Sequence, residues 1–175
     1  YLQAQGGFEL HMPLVPEFAE GSAEGLATLR DAVSTIKPDI LVACSRGGQY
    51  AAALVQASDW PGPVFCISAM YTADLCAAHD GGTFVLCAHG KQDGTNSIER
   101  VRADVAMSRV ASLVEFDDDH SLAALVGSGS FGPLLRTLHA RASSAEARTE
   151  WLDRERPEWV ARVLQPSLAA DAGVS

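Results

Sequence analysis

Short apolar runs alternate with amphipathic stretches along most of this chain. Four short, mostly apolar runs have the length and composition of buried strands in a parallel sheet. They lie at residues 40–44, 64–69, 84–88 and 111–116. A fifth run, residues 8–12, also predicts a strand, which Pro13 would close.

Between these runs, apolar residues recur at every third or fourth position, which predicts helices. The clearest helix spans residues 20–36 and is ended by Pro38. The other predicted helices span 47–57, 96–108 and 121–142, and the last is interrupted around 127–132. Strands that alternate with helices predict parallel βαβ units. We therefore expect an α/β fold, with a mostly parallel sheet and helices on both faces.

The periodic pattern changes near residue 143, which suggests how the chain is organised. Residues 1–142 read as one α/β core, and residues 143–175 read as a helical extension with a tail. Within the extension, residues 146–164 combine two tryptophans with alternating charges. Tryptophan and arginine side chains are common anchors of protein interfaces, so this segment is a candidate docking element for a partner protein.

Composition narrows the function classes. The chain of 175 residues contains 22 acidic and 13 basic side chains, a net charge of −9, which does not suggest a nucleic-acid surface. No apolar run approaches the roughly 18 residues that a membrane helix needs. The spacing of the four cysteines fits no zinc motif, so we expect no metal site, and buried thiols predict the cytoplasm or another reducing compartment. The cysteines are Cys44, Cys66, Cys76 and Cys87.

The first candidate catalytic residue follows the run at 40–44. Ser45, Arg46 and two glycines come next, and a predicted helix begins there. A strand, a tight turn with a nucleophile and a helix are typical of a nucleophile elbow. We expect Ala43 and Gly47, on either side of Ser45, to approach each other closely, which requires small residues. The backbone N–H of Arg46 and the helix N-terminus would form an oxyanion hole.

Cys44 is the competing nucleophile in this turn. Centring the elbow on Cys44 would put Val42 and Arg46 at the two small positions. An arginine does not fit a close-packed position, so the geometry favours Ser45.

Two more strand ends carry catalytic residue types. Asp93 follows the run at 84–88, and His120 follows the run at 111–116. A histidine can take the proton of Ser45 and return it, and an aspartate can orient that histidine. Asp117–Asp119 are alternative candidates for the acid and otherwise form a solvated charged run.

Candidate substrate contacts lie beside these groups. Met70 and Tyr71 follow the run at 64–69, so they line the substrate pocket or pack in the core. The Arg46 side chain would favour an anionic group on the substrate, or form a surface salt bridge.

Taken in chain order, these motifs resemble the α/β-hydrolase superfamily over residues 1–142. The resemblance rests on ACSRGG at residues 43–48, HGKQD at 89–93 and DHSL at 119–122. It implies a triad of Ser45, Asp93 and His120 that needs no cofactor. In the family, the histidine that matches His89 shapes the loop of the acid rather than acting as a base.

The chain departs from the family pattern at its beginning. The family's sheet normally has further strands before the first one found here, and the strand that usually lies beside residues 40–44 also supplies the second oxyanion-hole N–H. We therefore expect an N-terminally incomplete core. Three explanations are open: an N-terminal segment that precedes Tyr1 in a longer protein, a partner chain that completes the sheet, or a degenerate scaffold.

Two function hypotheses follow. The first is a serine hydrolase that cleaves a carboxylic ester or thioester through an acyl-enzyme on Ser45. The second is a non-catalytic, hydrolase-like subunit of a larger assembly, which docks through residues 146–164.

Overall fold

A computed structural model describes residues 7–15, 22–77 and 84–143 of the chain. Within these ranges, four strands form one sheet, and every neighbouring pair is parallel. The strands lie side by side in chain order: β1 (Leu41–Cys44), β2 (Val64–Ile67), β3 (Val85–Gly90) and β4 (Ala111–Phe116). This confirms the predicted α/β class and the parallel sheet.

Six helices accompany these strands in the described part of the chain. They are α1 (Ala23–Ile36), α2 (Gly47–Gln56), α3 (Thr72–Ala77), α4 (Ile98–Ala106), α5 (Ala123–Gly127) and α6 (Phe131–Ser143). Ser22 and Ser97 cap α1 and α4, because each Oγ accepts a backbone N–H from the first turn. The helix predicted at 121–142 is two helices with a break between them, and α3 has no counterpart among the predicted elements.

Helices cover both faces of the sheet. Because neighbouring strands follow each other in the chain, right-handed crossovers keep α2, α3 and α4 on one face. Cys66 of β2 packs into the core cluster on that face, to which α1 also contributes. Phe65 points the opposite way and packs with α5 and α6. The sheet therefore separates two apolar cores and leaves its strand ends free for the connecting loops.

The expectations for the first part of the chain need two corrections. Residues 8–12 form no strand, because no described strand lies beside them to supply hydrogen-bond partners. Residues 40–44 were expected to be buried on both faces, but β1 is the edge of the sheet, and Val42 and Cys44 are exposed. Cys44 is therefore not a buried thiol, whereas the other three cysteines are buried as expected.

Several predictions lie outside the described residues. Residues 144–175 include the proposed docking segment 146–164 and nearly all of the predicted extension, so the domain boundary stays a prediction. In the described ranges, none of the helices has the length and apolar character that crossing a membrane requires.

Candidate active site

Three loops meet at the carboxyl ends of the strands and bring the predicted triad together. Ser45 follows β1, Asp93 follows β3 and His120 follows β4. The Oγ of Ser45 lies 2.9 Å from Nε2 of His120, so the hydroxyl can donate to the imidazole. Nδ1 of His120 lies 2.8 Å from Oδ2 of Asp93 and can donate to that carboxylate. The three side chains thus form one hydrogen-bonded chain, with the imidazole of His120 between the hydroxyl and the carboxylate.

Ser45 sits in a backbone conformation that serine rarely adopts. Its φ angle is 48°, in the left-handed region, where a residue other than glycine costs about 1–3 kcal/mol. Hydrogen bonds hold this turn on the side of β2: the Ser45 N–H donates to the carbonyl of Ile67 at 3.0 Å, and its carbonyl accepts the N–H of Met70 at 2.9 Å. This conformation presents the Oγ above the end of the strand, where the histidine can reach it.

The steric demand on this turn falls on Gly48 rather than on Gly47, which corrects the sequence argument. A Cβ added at Gly47 would lie 4.0 Å from the Cβ of Ala43, an ordinary contact. A Cβ added at Gly48 would lie 2.1 Å from the carbonyl oxygen of Met70. The first turn of α2 therefore packs directly against the loop after β2, and only glycine allows this approach.

Asp93 is a buried carboxylate with most of its hydrogen-bonding capacity in use. Its Oδ1 accepts the backbone N–H groups of Thr95 at 2.8 Å and Asn96 at 3.0 Å, and its Oδ2 accepts from His120. Burial acts to raise the pKa of Asp93, but the hydrogen bonds from Asn96, His120 and Thr95 outweigh it and lower the pKa below the ordinary value. Asp93 is thus held as an anion, as the orienting partner of a histidine must be.

The alternative acids have other partners. Asp117 accepts a hydrogen bond from Gln92, Asp118 accepts from the backbone of Ala124, and Asp119 accepts from the backbone of Ser121. These bonds shape the turn that carries His120. Of the four aspartates considered from sequence, Asp93 is the one within hydrogen-bond distance of the His120 ring.

Two residues behind the triad support the loop of the acid. His89 is buried, and its Nε2 lies 2.7 Å from the carbonyl oxygen of Asn96 and 3.3 Å from Oδ2 of Asp93. The Asn96 side chain donates to the carbonyl of Ala69 at 3.0 Å and so ties this loop to the loop after β2. Sequence reasoning missed Asn96, because an asparagine in a loop is common and only the fold reveals its distant partner.

Gly90 allows the loop of His120 to approach β3. A Cβ at Gly90 would lie 2.3 Å from the carbonyl oxygen of Asp119 and 2.4 Å from that of Asp118. The backbone of Asp118 and Asp119 therefore packs directly against the backbone of Gly90. Gly48 and Gly90 thus allow the close backbone approaches that place Ser45 and His120, the candidate nucleophile and the candidate base.

Arg46 offers one donor for an oxyanion. Its backbone N–H lies at the start of α2, beside Ser45, and has no acceptor among the described hydrogen bonds. The N–H of Met70 is occupied by the carbonyl of Ser45 and so does not supply a second donor. The Arg46 side chain is exposed, and the ion pairs of the described residues do not include it.

The predicted substrate contacts lie close to the nucleophile. Met70 and Tyr71 occupy the loop between β2 and α3, and both are partly buried. Met70 is joined to Ser45 through its backbone, and Tyr71 has a left-handed φ of 62°. Their position is compatible with both interpretations made from sequence, substrate contact and packing.

Cys44, the competing nucleophile, differs from Ser45 in its surroundings. Its side chain lines a cavity of about 940 Å³ at the sheet edge. Although the Cys44 residue is exposed, its neighbours partly desolvate the thiol and raise its pKa, which favours the unreactive protonated form. That cavity is not lined by Ser45, Asp93 or His120, so it is separate from the triad.

Neither a search for metal-ligand groups nor comparisons with known proteins assign a further role to these residues. Within residues 7–15, 22–77 and 84–143, no three His, Cys, Asp or Glu side chains are grouped so that they could hold a metal ion. Comparisons of the chain with protein-family models, with curated proteins and with solved structures find no match.

Proposed function

We propose that this chain is a serine hydrolase of the α/β-hydrolase type that cleaves a carboxylic ester or thioester. The observation that carries the proposal is the hydrogen-bonded path from Ser45 through His120 to Asp93, with contacts of 2.9 and 2.8 Å. Residues from three separate strand ends are hydrogen-bonded in the sequence serine, histidine, aspartate, which is the geometry that nucleophilic acyl transfer requires. The left-handed turn at Ser45 is a second, independent support, because such strain persists where the surroundings enforce it.

In the first half of the reaction, the Oγ of Ser45 attacks the carbonyl carbon while Nε2 of His120 takes the hydroxyl proton. The carbonyl oxygen becomes an oxyanion that can accept from the Arg46 N–H at the start of α2. Asp93 holds the ring so that Nδ1 keeps its proton and Nε2 is free to act as the base. When the tetrahedral intermediate collapses, the bond to the alcohol or thiol breaks, and His120 protonates the leaving group.

In the second half, water hydrolyses the acyl-enzyme. His120 takes a proton from water as its oxygen attacks the acyl carbon, and it returns that proton to Ser45 as the ester bond breaks. The product is a carboxylic acid, and the enzyme is restored. Every proton transfer uses His120, so the buried anion of Asp93 stabilises the imidazolium twice in each cycle.

Turnover of simple acyl substrates tests this proposal. Hydrolysis of p-nitrophenyl acetate and of an acetyl thioester is measured for the wild type, for Ser45→Ala and for Ser34→Ala. Removing a triad nucleophile costs on the order of 10⁴–10⁶ in rate, so Ser45→Ala should fall to the background. Ser34 is an exposed serine in α1, and its replacement should leave turnover unchanged. Equal turnover by wild type and a folded Ser45→Ala variant would contradict the proposal.

A further inference from the structure

The loop after β2, residues 68–71, leaves the sheet between the nucleophile and the acid. β2 pairs with β1 on one side and with β3 on the other. Ser45 follows β1, and Asp93 follows β3. His120 bonds to both of them, so the separation between Ser45 and Asp93 has to match the size of one imidazole ring. The loop after β2 is in the position to set that separation.

The contacts of this loop with the nucleophile are made by Met70. Its N–H donates to the carbonyl of Ser45 at 2.9 Å. Its carbonyl oxygen lies against Gly48, where an added Cβ would be only 2.1 Å away. Both backbone groups of Met70 thus contact the turn between β1 and α2. A displacement of Met70 would therefore displace Ser45 as well.

The contact of this loop with the acid is made by Asn96. The Asn96 side chain donates from Nδ2 to the carbonyl of Ala69 at 3.0 Å, across 27 residues of sequence. Its backbone N–H donates to Oδ1 of Asp93 at 3.0 Å, and its carbonyl oxygen accepts from Nε2 of His89 at 2.7 Å. Asn96 is thus bonded to the acid and to the neighbour of Met70 at the same time.

The loop after β2 is held in a shape that most residues avoid. Ser68 and Tyr71 have left-handed φ angles of 44° and 62°. Residues other than glycine keep such angles where the surrounding contacts enforce them. The Oγ of Ser68 is buried without a hydrogen-bond partner among the described residues, so its side chain does not hold this turn. The backbone contacts do so, and they make the loop a spacer of fixed length.

We propose that Asn96 is a positioning residue, whose side chain sets the spacing between Ser45 and Asp93 by holding the loop after β2 against the loop of the acid. This inference rests on the proposed function, because it assigns Asn96 a part in that reaction. Asn96 acts on Ser45 through Ala69 and Met70, and on Asp93 directly. One imidazole ring can then bond to the nucleophile and the acid together.

An asparagine suits this position because its side chain is a neutral donor of the right length. An ionised aspartate has the same size but only accepts, so it would repel the Ala69 carbonyl. An alanine would leave that carbonyl with one remaining side-chain donor, Oγ1 of Thr72 at 3.3 Å. Thr72 belongs to α3, directly after the same loop, so its bond does not reach the acid.

Steady-state kinetics of Asn96→Ala and Asn96→Asp on p-nitrophenyl acetate test the assignment. Both variants lose the N–H donor, and a misplacement of about 1 Å can cost on the order of a hundredfold in rate. We expect kcat of both variants to fall about tenfold to a hundredfold, whereas KM should stay close to that of the wild type. Because Asn96→Asp retains the size of the side chain, its loss of kcat would show that the donor is needed.

Two control variants share a feature with Asn96 but not its link between the loops. Thr72→Val removes the other side-chain donor to the Ala69 carbonyl and keeps nearly the same shape. Ser97→Ala removes the cap of α4 directly beside Asn96 and so lowers stability without breaking the link. Both variants should keep the kcat of the wild type. Urea unfolding of all four variants shows whether they lose comparable stability.

A measurement that does not depend on turnover separates this inference from the proposed function. The Nδ1–H proton of His120, which is hydrogen-bonded to Asp93, is followed by NMR on protein with 15N-labelled histidine and is assigned with His120→Gln. The wild type should show a downfield resonance that exchanges slowly with water. In Asn96→Ala this resonance should move upfield or broaden beyond detection. In Ser97→Ala it should be unchanged.

Three results would overturn the inference. One is an unchanged His120 resonance in Asn96→Ala, or its absence from the wild type. A second is a rise in KM with unchanged kcat in Asn96→Ala, which would indicate a substrate contact. A third is an equal loss of kcat in Ser97→Ala, which would indicate instability. An inactive wild type whose His120 resonance still depends on Asn96 would contradict the proposed function but support the positioning role.

Discussion

An interior strand of the sheet, β3, and an edge strand, β1, both contribute to the candidate site, but their surroundings differ. All six residues of β3 are buried, whereas β1 buries only Ala43. Asp93 therefore follows an interior strand, whereas Ser45 and His120 follow β1 and β4, the strands at the two edges of the described sheet. Ser45 therefore keeps its position without buried neighbours on both sides of its strand. The hydrogen bonds of its own turn to β2 and to the loop after β2 hold it in place.

The largest expected effect concerns the buried side of the site. Asp93→Asn should lower ester turnover about 10⁴-fold, because an amide does not hold His120 in the reactive tautomer. Asp117→Asn is the matched control, since Asp117 bonds to Gln92 on the exterior. Steady-state turnover of both variants is the measurement. A loss of similar size in Asp117→Asn would contradict the assignment of Asp93 as the residue that orients His120.

The next effect concerns the turn at the edge. Gly48→Ala should lower the free energy of unfolding by about 3 kcal/mol, as overpacking against a fixed backbone does. Gly47→Ala should change it by less than about 1 kcal/mol, because the added methyl meets only ordinary contacts. Urea unfolding at neutral pH measures both variants. If they are equally stable, the loop after β2 does not fix Ser45 in the way described.

The smallest effect is a dependence of stability on acid. The pKa of Asp93 is lower in the folded chain than the ordinary value of about 3.9, so its contribution to stability is complete above that value. The contribution is lost as the pH falls through the lowered pKa. The stability difference between wild type and Asp93→Asn should therefore shrink on acidification below about pH 4. Urea unfolding along a pH series measures this, and a constant difference would argue against a stabilising anion at Asp93.

Sequence reasoning could identify the order of the elements and the three residues that meet at the strand ends. β4 has the predicted bounds, because its run is rich in apolar residues and Asp117 to Asp119 follow its end. Ser45, Asp93 and His120 each follow such a run, and the carboxyl ends of parallel strands share one edge of the sheet. Local patterns were sufficient for these features.

Other features depend on contacts between segments that are distant in the sequence, so local patterns do not predict them. Whether residues 8–12 form a strand depends on a neighbour, and the apolar pattern does not reveal whether one is present. The demand for glycine at position 48 arises from the carbonyl of Met70, which another loop brings there. Asn96 gains its importance from a bond to Ala69. Helix α3 has six residues, too few to establish a helical period.

The proposed function requires that His120 and Asp93 activate the Oγ of Ser45. The most direct test is the intact mass of the native protein after incubation with a fluorophosphonate, which reacts with activated serines. We expect one adduct on the wild type, none on Ser45→Ala, and none on wild type that was unfolded before the reagent was added. A folded wild type that stays unlabelled, or a Ser45→Ala variant that is labelled equally, would contradict it.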